Sequence, residues 1–337
     1  MSREIGSARD SIKSPSASLT SLVFWKSFWT TMRPYLIFIS GAASLVGMAF
    51  IQISDFSRLI PAFIPLFLSY GLGQALTDCF QMDTDALSSS YRPLIRGVIS
   101  RKQVFAVSLA GLGAGIFILA LLNPEILVPG VLAVGGLLSY TTMKRKWWGG
   151  PFWNSWIVAL LPIMGRLVSK DIRLIQIFSL KNPTSVGFTW AVLAVFFGYA
   201  NFVLMGYFKD ISADRATGYR TFPVVFGWRQ AAFGSDLFAL AAAASTGSAL
   251  AAVPHLPVLA IGIFGVALLV NLRAQVGIHR TKDENRAHGP IAGVVRAFIL
   301  YTAAIILGLK PGWLLGIATF YLCFEITLAL RPEERQV

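Results

Sequence analysis

Ten stretches of 16 to 24 residues, each with at most one charged side chain, run through this 337-residue chain. They are 34–53, 59–80, 104–122, 126–142, 152–168, 186–208, 230–253, 256–271, 291–309 and 313–330. A hydrocarbon layer of roughly 30 Å is crossed by about 20 apolar residues in a helix. Hydrophobic residues make up 55% of the chain and charged ones only 13%, too few polar groups to cover a soluble protein of this size. The pattern therefore predicts an all-α polytopic membrane protein. Cys79 and Cys323 sit in apolar surroundings and give neither a disulfide framework nor a zinc cluster. Three histidines, His255, His279 and His288, argue against a His-based metal site.

The net charge of +13 invites a nucleic-acid reading until the charges are placed. With the N-terminus in the cytosol, segments 1–33, 83–103, 143–150, 209–229, 272–296 and 331–337 face the same side. They hold all 29 Lys and Arg except Arg58, Arg166, Lys170, Arg173, Lys181 and Lys310. This asymmetry follows the positive-inside rule and accounts for the basic balance without nucleic acid. The partner it implies is the lipid bilayer. Residues 2–20 are Ser-rich and lack the apolar core of a cleavable signal. Residues 1–30 are thus expected to be a disordered cytosolic tail and 31–331 the membrane domain.

Carboxylates are costly inside a membrane, so acids near it mark function by default. Gln74, Asp78, Gln81 and Asp85 fall on one stripe if the helix of the second span continues, with Asp83 pointing elsewhere. At the end of the sixth span, Asp210 and Asp214 are spaced i,i+4, and like charges at that spacing repel. Lys209, Arg215 or a divalent ion would offset the repulsion. Mg²⁺ prefers a few carboxylates completed by waters and phosphates. Basic residues follow on the same side: Arg92 and Arg96, the run Lys144–Lys146, and Arg220. Acids for a metal, bases for phosphate and an apolar interior point to a lipid diphosphate, an isoprenoid. The bland alternative is charges resting at the interface. It explains one isolated Asp better than it explains the joint pattern. Asn201, inside the sixth span, reads equally well as an interhelical hydrogen bond or a pocket group.

At these residues the chain resembles the UbiA superfamily of intramembrane prenyltransferases. Residues 207–227, YFKDISADRATGYRTFPVVFG, are similar to its D-x-x-x-D stretch with the following G-x-[RK]-T-[LF]-P-V. Asp85 and the downstream Arg92-Pro93-Leu94-Ile95-Arg96-Gly97 resemble its D-x₆-R-P-[LI]-x-x-G, with the spacing of chlorophyll-synthase-like members. Met32-Arg33-Pro34 and Lys144 also match family habits, and the resemblance spans about residues 33–309. It implies nine helices around a central cavity, so nine to ten transmembrane helices are expected here. It also implies that Asp85, Asp210 and Asp214 hold Mg²⁺ and the prenyl diphosphate. Arg92, Lys144, Lys209 and Arg220 match positions near the diphosphate, with Tyr140 beside them. The first motif departs from the family's N-D-x-x-D-x-x-x-D: Thr77 replaces the Asn and Gln81 the middle Asp. Asp78 is expected to take over metal binding, with Gln81 offering a carbonyl oxygen and Asp83 in reserve. The implied reaction ionises an allylic isoprenoid diphosphate and transfers the prenyl group to an aromatic or other small acceptor. Some relatives instead fold the cation onto itself and act as terpene cyclases, a task that would suit the altered motif. A membrane transporter is the non-enzymatic alternative.

Overall fold

The computed structural model describes residues 16–52, 56–179 and 182–331, and contains no strand among them. Thirteen helices follow in order. They are α1 (Leu22–Thr31), α2 (Ile37–Ala49), α3 (Phe56–Asp78), α4 (Met82–Ser88), α5 (Arg101–Leu122), α6 (Leu127–Lys144) and α7 (Gly149–Arg166). After them come α8 (Pro183–Gly206), α9 (Ile211–Ala216), α10 (Phe222–Ala251), α11 (Val258–Arg280), α12 (His288–Leu309) and α13 (Leu314–Ala329). Among the described residues seven helical stretches are long and apolar enough to cross a membrane: α3, α5, α6, α8, α11, α12 and α13, some with their flanking turns. α2 is apolar but only 13 residues long. The tenth apolar stretch is a separate helix, α13.

Residues 1–15 of the expected tail lie outside the described residues, but the rest of it is not all tail. Ser21 caps α1 through its side chain, accepting from Phe24 N, and Phe24 and Phe28 are buried beneath. The other helices start where local chemistry favours it. Ser100 and Gln103 form a reciprocal capping box at α5. Asn182 caps α8, with Pro183 at its first position. α10 changes direction at Gly227, whose φ of +81° is a left-handed conformation that favours glycine.

α12 and α8 form the middle of the bundle, with 83% and 67% of their apolar windows buried against 17% for α13. α8 packs mainly on α10 and α7, and α12 on α11, α8 and α2. In lipid there is no hydrophobic force between helices, so close packing and hydrogen bonds must hold them. A buried amide network does this on four helices. Asn201 Oδ1 of α8 accepts from Gln275 Nε2 of α11 at 3.1 Å and from Ser235 Oγ of α10 at 2.6 Å. Asn271 Nδ2 of α11 donates to the Tyr301 hydroxyl of α12 at 3.1 Å. Asn201 is therefore the interhelical group of the two readings. α13 is tied to α12 by a bidentate Arg296–Glu325 pair at 2.8 and 2.9 Å.

α2 and α7 cross at two glycines. A Cβ on Gly47 would lie 1.9 Å from Pro162 O, and one on Gly165 would lie 2.3 Å from Ser44 O. Both obstacles are backbone and cannot rotate away. We expect Gly165→Leu to cost more than the ~1–3 kcal/mol of ordinary overpacking. In detergent, thermal unfolding should drop by several degrees or folded protein should be lost; an unchanged melting point would refute this crossing.

Candidate active site

The charged residues gather where two long helices stop early. α3 does not continue through Asp85, as the stripe required. Its last turn tightens to i→i+3 bonds, with Cys79 N, Phe80 N and Gln81 N donating to Leu76 O, Thr77 O and Asp78 O. The chain restarts as α4 at Met82, with Gln81 at its cap. α8 likewise ends at Gly206, passes through a 3₁₀ turn at Tyr207–Lys209, and restarts as α9 after Asp210. These breaks fold both acidic segments back over the end of the bundle.

One cavity there, with ≈ 680 Å³ of free space including its open mouth, collects eight of the predicted residues. They are Asp78, Gln81, Asp85, Arg92, Tyr140, Lys144, Lys209 and Asp210. Two predicted residues are not on its wall. Asp214 is fully buried behind Lys144, with Thr221 Oγ1 donating to Oδ2 at 3.1 Å and Lys144 Nζ 3.5 Å from Oδ1. Asp210 sits at the N-cap of α9 and lines the cavity, while Asp214 one turn on is buried; beyond the effect of burial, the charge on Asp210 still raises the Asp214 carboxyl, as their i,i+4 spacing implied. Arg220 is exposed, and its backbone N–H donates to Arg145 O.

Asp78, expected to ligate a metal, is held by neighbouring cationic and amide side chains. Arg33 Nη2 donates to both carboxylate oxygens at 3.0 Å, and Gln74 Nε2 donates to Oδ1 at 2.8 Å. Arg92 Nη1 lies 3.8 Å from Oδ2 and also pairs closely with Asp85 Oδ2. The order Arg33, Asp78, Arg92, Asp85 is thus a row of alternating buried charges. Lys144 Nζ donates to Gln81 Oε1 at 3.1 Å and lies over the rings of Tyr207 and Tyr219. Asp83 stands outside this row, half exposed and 3.2 Å from Arg145. Burial raises the Asp85 carboxyl against the lowering effect of Arg92. It pushes Asp214 up to about 6, with Lys144 opposing.

Arg33 is the site residue whose importance the motifs understated. It adopts φ +52°, rare for a residue with a side chain, immediately before Pro34. That conformation sends the chain into α2 while its guanidinium reaches Asp78. The signal available was an Arg-Pro step at the first span. Tyr70, Asn154 and Tyr199 also line the cavity and carried no motif. Tyr199 OH donates to Tyr70 OH at 3.2 Å, and Asn154 Nδ2 donates to Tyr199 OH at 3.3 Å. With Gln74 they form a collar. Below it opens a narrow apolar channel, with ≈ 800 Å³ of free space including its open side, walled by α3, α5, α6 and α7, and the four collar residues border both spaces.

Four cationic side chains, Arg33, Arg92, Lys144 and Lys209, face three carboxylates, Asp78, Asp85 and Asp210, around the polar cavity. An anion carrying a hard cation with it suits that balance. No three acidic, His or Cys side chains among the described residues lie within reach of one ion. The donors do fit Mg²⁺ completed by phosphate oxygens: Gln81, Asp85 and Asp210 all offer oxygens, with Arg92 already paired to Asp85 Oδ2.

Residues 36–291 match the sequence profile of the UbiA prenyltransferase family. The digeranylgeranylglyceryl phosphate synthase of Thermococcus kodakarensis is 25% identical over 270 residues, 77% of this chain and 92% of the relative. A UbiA homolog from Aeropyrum pernix K1 superposes with a TM-score of 0.66 at 20% identity, covering 80% of this chain and 96% of its own. A UbiA homolog from Archaeoglobus fulgidus, bound to DMAPP and Mg2+, gives 0.62 at 16% identity, covering 83% and 99%.

Two outcomes follow. Removing one partner of a buried pair costs ~3–5 kcal/mol, whereas an exposed pair contributes ~0–1 kcal/mol. Asp78→Ala should therefore lower thermal stability strongly and Asp83→Ala barely; equal effects would show that Asp78 is not the anchor. The second concerns pH. Asp214 titrates about two units above a free Asp, so the folded state holds a proton there that the unfolded chain has lost. This favours folding at low pH, an advantage lost as pH rises through about 6. Lys144 needs the ionised form beside it, so turnover should fall on the acid side with a midpoint near 6. A profile flat from pH 5 to 8 would disprove the coupling.

Proposed function

The chain belongs to the UbiA prenyltransferase family, and on that premise we propose that it ionises an allylic isoprenoid diphosphate and passes the prenyl group to a small acceptor. It is a multi-pass membrane prenyltransferase. The observation that carries the reading is the junction at Tyr70, Gln74, Asn154 and Tyr199. On one side lies a cavity built for an anion, and on the other a channel built for a hydrocarbon. One molecule with a charged head and a greasy tail satisfies both.

The diphosphate sits among Arg33, Arg92, Lys144 and Lys209, held by charge-assisted hydrogen bonds. Asp85 and Asp210 would hold Mg²⁺, with Gln81 in reach, and Asp78 positions two guanidiniums. Asp214 orients Lys144. Mg²⁺, when bound, stabilises the charge developing on the leaving diphosphate. The arginines and lysines do the same from fixed positions. Tyr70 and Tyr199 put aromatic rings at the junction of the two spaces, where a π-system would favour a nearby cation. The apolar channel keeps water from the tail.

The shape of the channel favours transfer over cyclisation. It follows one face of α3 from Thr77 to Pro65, about 18 Å at helical rise. A tail laid out along it keeps its own double bonds away from the cation. An acceptor reaches the cation from the open polar side, and a polar acceptor such as a glyceryl phosphate would suit that mouth. The transporter alternative falls with the family assignment. The reading takes nine to ten crossings around a central cavity, with helices such as α2, α7 and α10 joining the seven long apolar ones. The charge asymmetry supports a cytosolic N-terminus and a site facing the same side.

The test uses the full chain in detergent with Mg²⁺ and geranylgeranyl diphosphate, with and without a panel of aromatic and glyceryl phosphate acceptors. Prenylated acceptor should form, chelation should stop it, and Asp210→Ala should lower turnover at least about 100-fold. A cyclic hydrocarbon without acceptor would reassign the enzyme as a cyclase. Undiminished turnover in both Asp85→Ala and Asp210→Ala would overturn the mechanism.

A further inference from the structure

Asp210 stands at the N-cap of α9, yet its side chain makes no capping hydrogen bond. An N-cap side chain normally accepts from the second or third helical N–H, with its own backbone extended. Asp210 instead has φ −118° and ψ +9°. It also closes the 3₁₀ turn before it, its N–H donating to Tyr207 O at 3.2 Å. The first-turn donors of α9 still need an acceptor. One comes from the turn between α11 and α12. Glu284 accepts from Ser212 N through both carboxylate oxygens at 3.1 Å and from Ser212 Oγ at 2.5 Å. Ser212 is the second residue of α9. Glu284 therefore occupies the place that the carboxylate of an N-cap Asp takes in an ordinary helix.

We infer that Glu284 is a positioning residue for the metal site: by capping α9 in place of Asp210, it leaves the Asp210 carboxylate to the polar cavity. This rests on the metal role of Asp210 proposed above. Asp210 borders both the polar cavity and the outer cleft lined by Ser212 and Glu284. A second negative charge at the cap repels it from the cleft side, while Arg92 and Lys209 attract it on the cavity side. Glu284 is itself held in place. The 3₁₀ turn that presents it is capped by Asp283, whose Oδ1 accepts from Asn285 N at 2.9 Å. Without Glu284, the neighbouring carboxylate able to answer the Ser212 N–H is Asp210. Turned to that task, it is withdrawn from the cavity, and the metal loses a charged ligand.

The experiment titrates Mn²⁺, a paramagnetic stand-in for Mg²⁺, into the full chain in detergent saturated with uncleavable geranylgeranyl thiolodiphosphate. Bound ion is read by electron paramagnetic resonance. Glu284→Ala should weaken Mn²⁺ binding about tenfold. Glu284→Gln keeps a carbonyl acceptor for the Ser212 N–H and should stay within about threefold of wild type. Ser212→Ala loses the hydroxyl bond alone and should weaken Mn²⁺ about threefold. In turnover, Glu284→Ala should raise the half-saturating Mg²⁺ about tenfold and keep kcat at saturating Mg²⁺, a split that mere loosening of the loop would not produce. Unchanged Mn²⁺ affinity in Glu284→Ala overturns the inference. So does a Glu284→Gln variant as weak as Glu284→Ala, because the charge of Glu284 rather than its capping bonds would then be the cause. Mn²⁺ binding that Asp210→Ala leaves unchanged would instead overturn the metal role of Asp210 on which the inference rests.

Discussion

Arg33, Asp78, Arg92 and Asp85 alternate in charge while buried at one end of an apolar bundle. Charges there survive only in company, because the desolvation of each is offset by its neighbour. The row joins the turn before α2, the end of α3, the start of α4 and the loop beyond it. An apolar cluster of Met32, Ala75, Cys79, Leu94 and Ile99, with Met82 against it, packs these segments together. The ion pairs then fix the two arginines that face the cavity. An anion arriving there meets guanidiniums already desolvated and already oriented, so little ordering remains to be done on binding.

The same physics sets the boundary between the two halves of the site. The collar hydroxyls and amides satisfy one another, Tyr199 with Tyr70 and Asn154 with Tyr199. They can therefore border an apolar channel without leaving unpaired polar groups in it. Above them the lining is mostly charged or polar; below them it is mostly aliphatic. A substrate whose polarity changes at one point along its length is aligned by that boundary alone, before any residue acts on it.

Helix packing and chemistry are separated within the bundle. The amide network of Asn201, Ser235, Gln275 and Asn271 ties α8 to α10 and α11, with Tyr301 adding α12. The glycine crossing of α2 and α7 fixes another pair. Rigid packing there leaves the shorter α4 and α9 to bear the acids. Both are single-turn or two-turn helices stabilised by their contacts rather than by their length.

Hydropathy along the chain was enough to determine a helical membrane protein, because a membrane-crossing helix pairs its own backbone and needs only its own side chains to be apolar. The placement of Lys and Arg, the Asp-bearing ends of two spans and the motif around residues 207–227 made the family legible, since each lies within one short segment. Which acid does what was not legible. Periodicity carried α3 straight through Asp85 and paired Asp210 with Asp214, but the helices break at Phe80 and Gly206. One missed turn changes the direction of every side chain beyond it. Asp78 meets Arg33 across 45 residues, and Asp214 meets Lys144 across 70. Tyr70, Asn154 and Tyr199 meet only because three helices cross at one level. Those encounters, and the depth of the channel below them, depend on how whole helices pack against one another, and only the tertiary structure decides that.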